Sequence, residues 1–197
     1  TGKYLSPDAA IAWGRDLILK GAQIVDIGGE ASGQGSTQCG VEEELSRVLP
    51  VVKALACETV VSVDTYKAAV ARVCLENGAR IINDISAARY DAEMYALVRE
   101  FNAQIVLMYS KESAEHPLVT AKPDASGDII DVIRAFLSKR VDAALSAGLT
   151  QAQIILDPGL GRFVSDNPAR SWEIVDRYAE LRESFSDFRF VIAASRK

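Results

Sequence analysis

Six short segments of this chain are apolar throughout rather than alternating in polarity, and a helical pattern precedes each of them. A strand with one wet face alternates apolar and polar residues, whereas a strand buried on both faces does not, so these runs predict a parallel sheet with helices packed outside it. The predicted strands cover residues 23–27, 59–63, 80–85, 104–108, 153–156 and 189–194. The first predicted helix is opened by Ser6 and Pro7 and stopped at Gly21; the others cover 41–55, 66–77, 92–101, 128–147 and 168–181. A hydroxyl N-cap, a proline at the first helical position and a glycine after the last turn are helix boundary signals, and Gly78 and Gly148 repeat the last of them.

Five of the six runs end in polar residues at the point where a strand gives way to a loop: Asp26, Asp64, Asn83 with Asp84, Asp157, and Ser195. Two architectures accommodate parallel strands alternating with helices, the open doubly wound sheet and the (β/α)8 TIM barrel. The open sheet normally carries a Gly-rich turn between a strand and an immediately following helix. Here Gly28-Gly29 is followed by Glu30 and ten further loop residues, a poor phosphate fingerprint. Polar chemistry spread over five strand ends favours the barrel, whose C-terminal mouth gathers such positions on one face. A barrel has eight strands and usually about 250 residues, and this sequence opens with a helix pattern and closes on a strand pattern. The expectation is a single domain over residues 1–197 with about six of the eight strands present, the middle of a longer polypeptide.

With 49% hydrophobic and 25% charged residues, the 197-residue chain can bury one sizeable core. A net charge of -5 with scattered basic residues argues against a nucleic-acid partner, and no apolar run approaches the roughly 20 residues of a membrane span. Cys39, Cys57 and Cys74 form no CxxC pair and no secretory signal opens the sequence, so a cytoplasmic location is expected. The single histidine, His116, lies in a long polar stretch and reads as a solvated residue; no Cys/His cluster suggests structural zinc.

The segments GAQIVDIGGE, VEEELSRVLPVV, SVDTYKAAVA, NGARIINDIS, VLM, IILDPGLG and SRK, in this order and over nearly the whole chain, resemble dihydropteroate synthase, a pterin-binding enzyme family with a TIM-barrel fold. The resemblance implies condensation of 6-hydroxymethyl-7,8-dihydropterin pyrophosphate with p-aminobenzoate to give 7,8-dihydropteroate and pyrophosphate, usually with Mg²⁺ whose ligands lie mostly outside this chain. It implies that Asp64, Asn83, Met108, Asp157 and Lys197 bind the pterin, that Asp64 and Lys197 act in catalysis, and that Ser32 in the loop after the first strand handles p-aminobenzoate or pyrophosphate. It also implies a homodimer. The chemistry is apt, because a pterin needs acceptors for its ring N–H groups and donors for its carbonyl and ring nitrogens, and two carboxylates with one amide offer that set. Early departure of pyrophosphate would leave a cationic ring that Asp64 and Asp157 could stabilise.

Each residue has a plainer reading. Asp64 before Thr65 could only cap a helix, Asp157-Pro158-Gly159 is a common turn, and Asp84 reads as a structural hydrogen-bonding partner. The sequence also departs from the family pattern. Gly33 stands where the family carries Arg, Tyr109 where it carries His, and Arg162 where a Phe packs near the pterin. These changes point to altered p-aminobenzoate or sulfonamide handling. A related barrel that transfers a methyl group from methyltetrahydrofolate, and a non-catalytic pterin-binding paralogue, are the alternatives.

Overall fold

The computed structural model describes residues 6–31, 38–111 and 126–194. Seven α-helices and six strands lie along them, alternating except where α6 is followed directly by α7: α1 (Pro7–Leu19), β1 (Ile24–Gly28), α2 (Val41–Leu55), β2 (Val60–Asp64), α3 (Ala68–Glu76), β3 (Ile81–Asp84), α4 (Met94–Glu100), β4 (Gln104–Met108), α5 (Ile129–Ser146), β5 (Ile154–Asp157), α6 (Pro168–Asp176), α7 (Tyr178–Ser184) and β6 (Arg189–Phe190). The local signals explain most of these boundaries. Ser6 Oγ accepts from the Ala9 N–H, and Asp128 caps α5 by accepting from Ile130 and Asp131. Gly78 ends α3 at φ 103°, and a Cβ there would lie 2.8 Å from that of Ala56.

All six strands are parallel and their spatial order is their sequence order, β1 to β6. A doubly wound sheet reverses strand order at a switch point; a sheet that never reverses has every crossover on one side and curls as a barrel wall does. The main core lies between the outer sheet face and the helices, where Val61, Val63, Ile82, Ile105, Leu107, Ile154 and Leu156 meet Leu55, Val70, Leu97, Ile133 and Leu137. The inner face has its own small apolar layer of Ile81, Val106 and Ile155. Towards its edges that face is open: Ile24 is 51% and Val60 40% exposed.

Three expectations shift in detail. The helix expected from residue 66 begins at Ala68, which leaves Tyr66 at a bend after β2 and Lys67 extended as the N-cap. The single helix expected over 168–181 is two, α6 and α7, parted at Arg177, whose φ of -101° and ψ of 16° break the helical ladder. Its guanidinium bonds to Glu173, Glu180 and the α5 cap Asp128, so side-chain pairing holds the bend. The last strand has two residues rather than six, because it pairs on one side only; one further bond, from the Val191 N–H to the Leu156 carbonyl, extends it.

Candidate functional site

Strand register decides which polar residues share a face. Gly28, Asp64 and Asn83 are paired neighbours across β1, β2 and β3. Asn83 pairs with Val106, so Met108, two residues on, faces the same way, and Met108 pairs with Asp157. Asp64, Asn83, Met108 and Asp157 therefore stand on one face, above the Ile81, Val106 and Ile155 layer, at the C-terminal ends of four consecutive strands. Gly28 presents no side chain in this row; an added Cβ would lie 3.4 Å from that of Asp64.

The groups differ in environment. Asp64 and Asn83 are half-buried. Asn83 donates from Nδ2 to Asp26 Oδ2 at 3.1 Å, which leaves its carbonyl oxygen directed elsewhere as an acceptor. Asp26, on the same face one rung below Gly28, thus orients the amide. Asp157 is 3% exposed. Its Oδ1 accepts from the Gly159 N–H at 2.8 Å, a turn made possible by Gly159 at φ 67°. Burial pushes its carboxyl up to about 6, with that one N–H working against the rise; its other oxygen meets no donor among the described residues. Asp84 projects to the opposite face, fully buried, and accepts from the Ser86 N–H, the Ser86 hydroxyl and the Ala88 N–H. Burial raises it too, to about 6, but its work is to hold the turn in which Ala87 and Ala88 both take φ 54°.

Beside these polar groups lies an apolar patch of Tyr66, Ile85 and Met108, with Phe163 packed against it. Phe163, one residue after Arg162, comes from the short 3₁₀ turn Gly161–Phe163. Arg162 itself is 57% exposed and meets Asp166 at 3.7 Å, so the departure at that position still leaves an aromatic side chain, Phe163, against this apolar patch. Tyr109 turns away from this face, edge-on to Phe136 of α5. Ser32, Gly33, His116, Ser195, Arg196 and Lys197 lie outside the described residues.

A second cluster was not foreseen. Glu30 accepts from Tyr66 Oη, from Lys67 Nζ at 2.7 Å, and from the Cys39 N–H and thiol at 2.9 and 3.3 Å. Lys67 Nζ also donates to Glu44 at 2.5 Å. The ligand atoms of Glu30, Cys39 and Glu44 come within 4.8 Å of one another, a spacing that could hold a metal ion, but the ammonium of Lys67 already supplies the cation between the two carboxylates. One signal in the sequence could have revealed it: Glu44 occupies the apolar stripe of α2 with Val48, Val51 and Leu55, at spacings of four, three and four, where a solvated glutamate has no place.

A parallel sheet in unbroken barrel order, with acceptors and an amide converging above an apolar layer at the C-terminal strand ends, defines an α/β barrel protein with a candidate ligand site at its mouth. The family described as pterin binding enzyme matches residues 1–197, and the chain belongs to it. It is 40% identical over 182 residues to dihydropteroate synthase of Mycobacterium leprae, covering 91% of this chain and 62% of that enzyme. It is 34% identical over 197 residues to dihydropteroate synthase type-2 of Escherichia coli, covering 100% of this chain and 71% of the relative. The crystal structure of the Clostridium difficile dihydropteroate synthase in the presence of pteroic acid superposes with a TM-score of 0.86 at 30% identity, over 100% of this chain and 70% of that one. No described helix is long and apolar enough to cross a membrane.

Proposed function

We propose that this protein is a dihydropteroate synthase, a transferase that joins the methylene carbon of 6-hydroxymethyl-7,8-dihydropterin pyrophosphate to the amine of p-aminobenzoate. The carbon–oxygen bond to pyrophosphate breaks, a carbon–nitrogen bond forms, and the amine gives up a proton. The observation that carries the reading is the single-face convergence of Asp64, Asn83 and Asp157 above an apolar layer. A flat heterocycle with N–H groups on one edge fits such a surface: carboxylates accept from the ring, the Asn83 carbonyl accepts, and Met108 lies against the ring plane. An analogue lacking an N–H would leave a buried carboxylate without its partner, which costs about 1–3 kcal/mol and gives selectivity. As positive charge develops on the ring, Asp64 and Asp157 stabilise it from fixed positions. Lys197 and Ser32 complete the proposal, the first as a donor to the pterin and a catalytic group, the second toward p-aminobenzoate or pyrophosphate.

Mg²⁺ belongs to this proposal through the family alone. Among the described residues the Glu30, Cys39 and Glu44 cluster does not fit it, since a thiol is a poor ligand for a hard cation and Lys67 fills the centre. No step is routed through the ion. A homodimer is proposed on the same basis, and Trp172 and Val175, three residues apart on α6 and 68% and 43% exposed, form an outer apolar face suited to it.

The deciding measurement pairs calorimetry using 6-hydroxymethylpterin with a synthase assay on the full-length protein. Pterin binding together with formation of dihydropteroate is the expected outcome. Binding without turnover would reduce the protein to a pterin carrier, and transfer of a methyl group from methyltetrahydrofolate would replace the proposal.

A further inference from the structure

Glu30 does more than end the glycine turn after β1. Its carboxylate is 6% exposed and gathers donors from two separate segments: Cys39 before α2, and Tyr66 and Lys67 after β2. Lys67, itself 10% exposed, binds in addition to Glu44 of α2, which is 1% exposed. The turn is clamped from behind as well, where Arg47 donates to the Gly29 carbonyl at 2.7 Å and a Cβ on Gly29 would lie 2.8 Å from Val48. Burial favours the neutral form of Glu30, but the donors of Lys67, Tyr66 and Cys39 together hold its carboxyl below the usual range. An ionised acceptor with this many donors is a rigid node.

Tyr66 links that node to the site. Its hydroxyl donates to Glu30, its ring meets Tyr90 edge-on at 4.7 Å, and the same ring packs with Ile85 and Met108. Met108 pairs with Asp157, and Asp64 lies two residues before Tyr66 in the chain. We propose that Glu30 is a positioning residue for the pterin pocket: by holding Tyr66 and Lys67 it sets the tyrosine ring against Met108 and fixes the end of β2 that presents Asp64. This inference rests on the pterin reading and adds to it a residue that touches no substrate.

Two variants of the full-length protein test it. Glu30→Gln puts an amide NH₂ where the donors of Lys67 and Cys39 now converge, while Lys67 keeps its pairing with Glu44. Tyr66→Phe deletes only the hydroxyl that reaches Glu30 and keeps the ring, so it folds even if Glu30→Gln does not. Calorimetry with 6-hydroxymethylpterin, run well below the melting temperature, is expected to give about a tenfold weaker Kd for Glu30→Gln and at least threefold weaker for Tyr66→Phe. In the assay the KM for the pterin substrate should rise while that for p-aminobenzoate, at saturating pterin, stays within twofold. A brace that served stability alone would lower the melting temperature and leave both pterin constants unmoved; that result overturns the inference. A wild-type protein that binds no pterin overturns it together with the pterin reading, so the two failures are told apart.

Discussion

Asp157 concentrates the residue-scale chemistry. Burial raises its carboxyl to about 6 from an ordinary 3.8, so in the folded protein the proton is held more tightly than in the unfolded chain. The stability that this tighter hold contributes is therefore complete below pH 3.8 and is lost as pH rises through 6. Asp157→Asn removes the titration yet keeps an oxygen for the Gly159 N–H. Its stability relative to wild type should rise between pH 4 and pH 7.5 by on the order of 2 kcal/mol, read from denaturant unfolding at the two values. Pterin binding should move the other way. A ring N–H needs the ionised carboxylate, so wild-type affinity is expected to weaken about tenfold per pH unit below 6, and Asp157→Asn should bind at least tenfold more weakly at neutral pH without that slope. An isotherm for the variant equal to wild type at pH 7.5 would remove Asp157 from the site.

At the scale of elements, two turns hold the strand ends in place. The β5 turn depends on Gly159, where φ is 67° and an added Cβ would stand 2.3 Å from the Tyr109 carbonyl oxygen. Gly159→Ala must displace backbone, so it should cost about 3 kcal/mol and weaken pterin binding by releasing the Asp157 acceptor; thermal unfolding and calorimetry check the two effects. The β3 turn works with ordinary residues in an unusual conformation, as Ala87 and Ala88 sit at φ 54° under the three hydrogen bonds of Asp84. A β-branched side chain is far less tolerated there, so Ala88→Val should lose about 2 kcal/mol, whereas Ala88→Gly should change stability little because relief of strain offsets the lost methyl. Element boundaries were readable where a local signal exists, as at Ser6, Gly78 and Asp128. They were not readable at Arg177, because the apolar period runs on through the break and only the side-chain partners of Arg177, contributed from α5 and α7 as well as α6, show the bend.

The whole molecule has two features that no single element contains. One is the open inner face at the sheet edges, with Ile24, Val60 and Val191 at 51%, 40% and 40% exposure. The 197 residues expressed alone should bind a hydrophobic dye and elute with apparent self-association that charged substitutions at Ile24 and Val60 reduce; a monomeric, dye-negative product would contradict this. The other is convergence. Composition, periodicity and the polar residues closing five of the six apolar runs were sufficient for the parallel sheet, the helices outside it and the strand-end position of Asp64, Asn83 and Asp157, because all of these are written in spacings of a few residues. Which strand ends meet could not be read that way. Alternation sets Asn83 and Asp84 on opposite faces, but only register decides that Asn83 meets Asp64 and Val106 on one face and Asp84 meets Leu107 on the other. Only packing turns Phe163 rather than Arg162 against the patch of Tyr66, Ile85 and Met108, and only folding brings Glu30, Cys39, Glu44 and Tyr66 together around the ammonium of Lys67. A local period reports how a side chain faces its own strand or helix; a contact across 37 residues depends on how the elements pack, and the tertiary structure decides it.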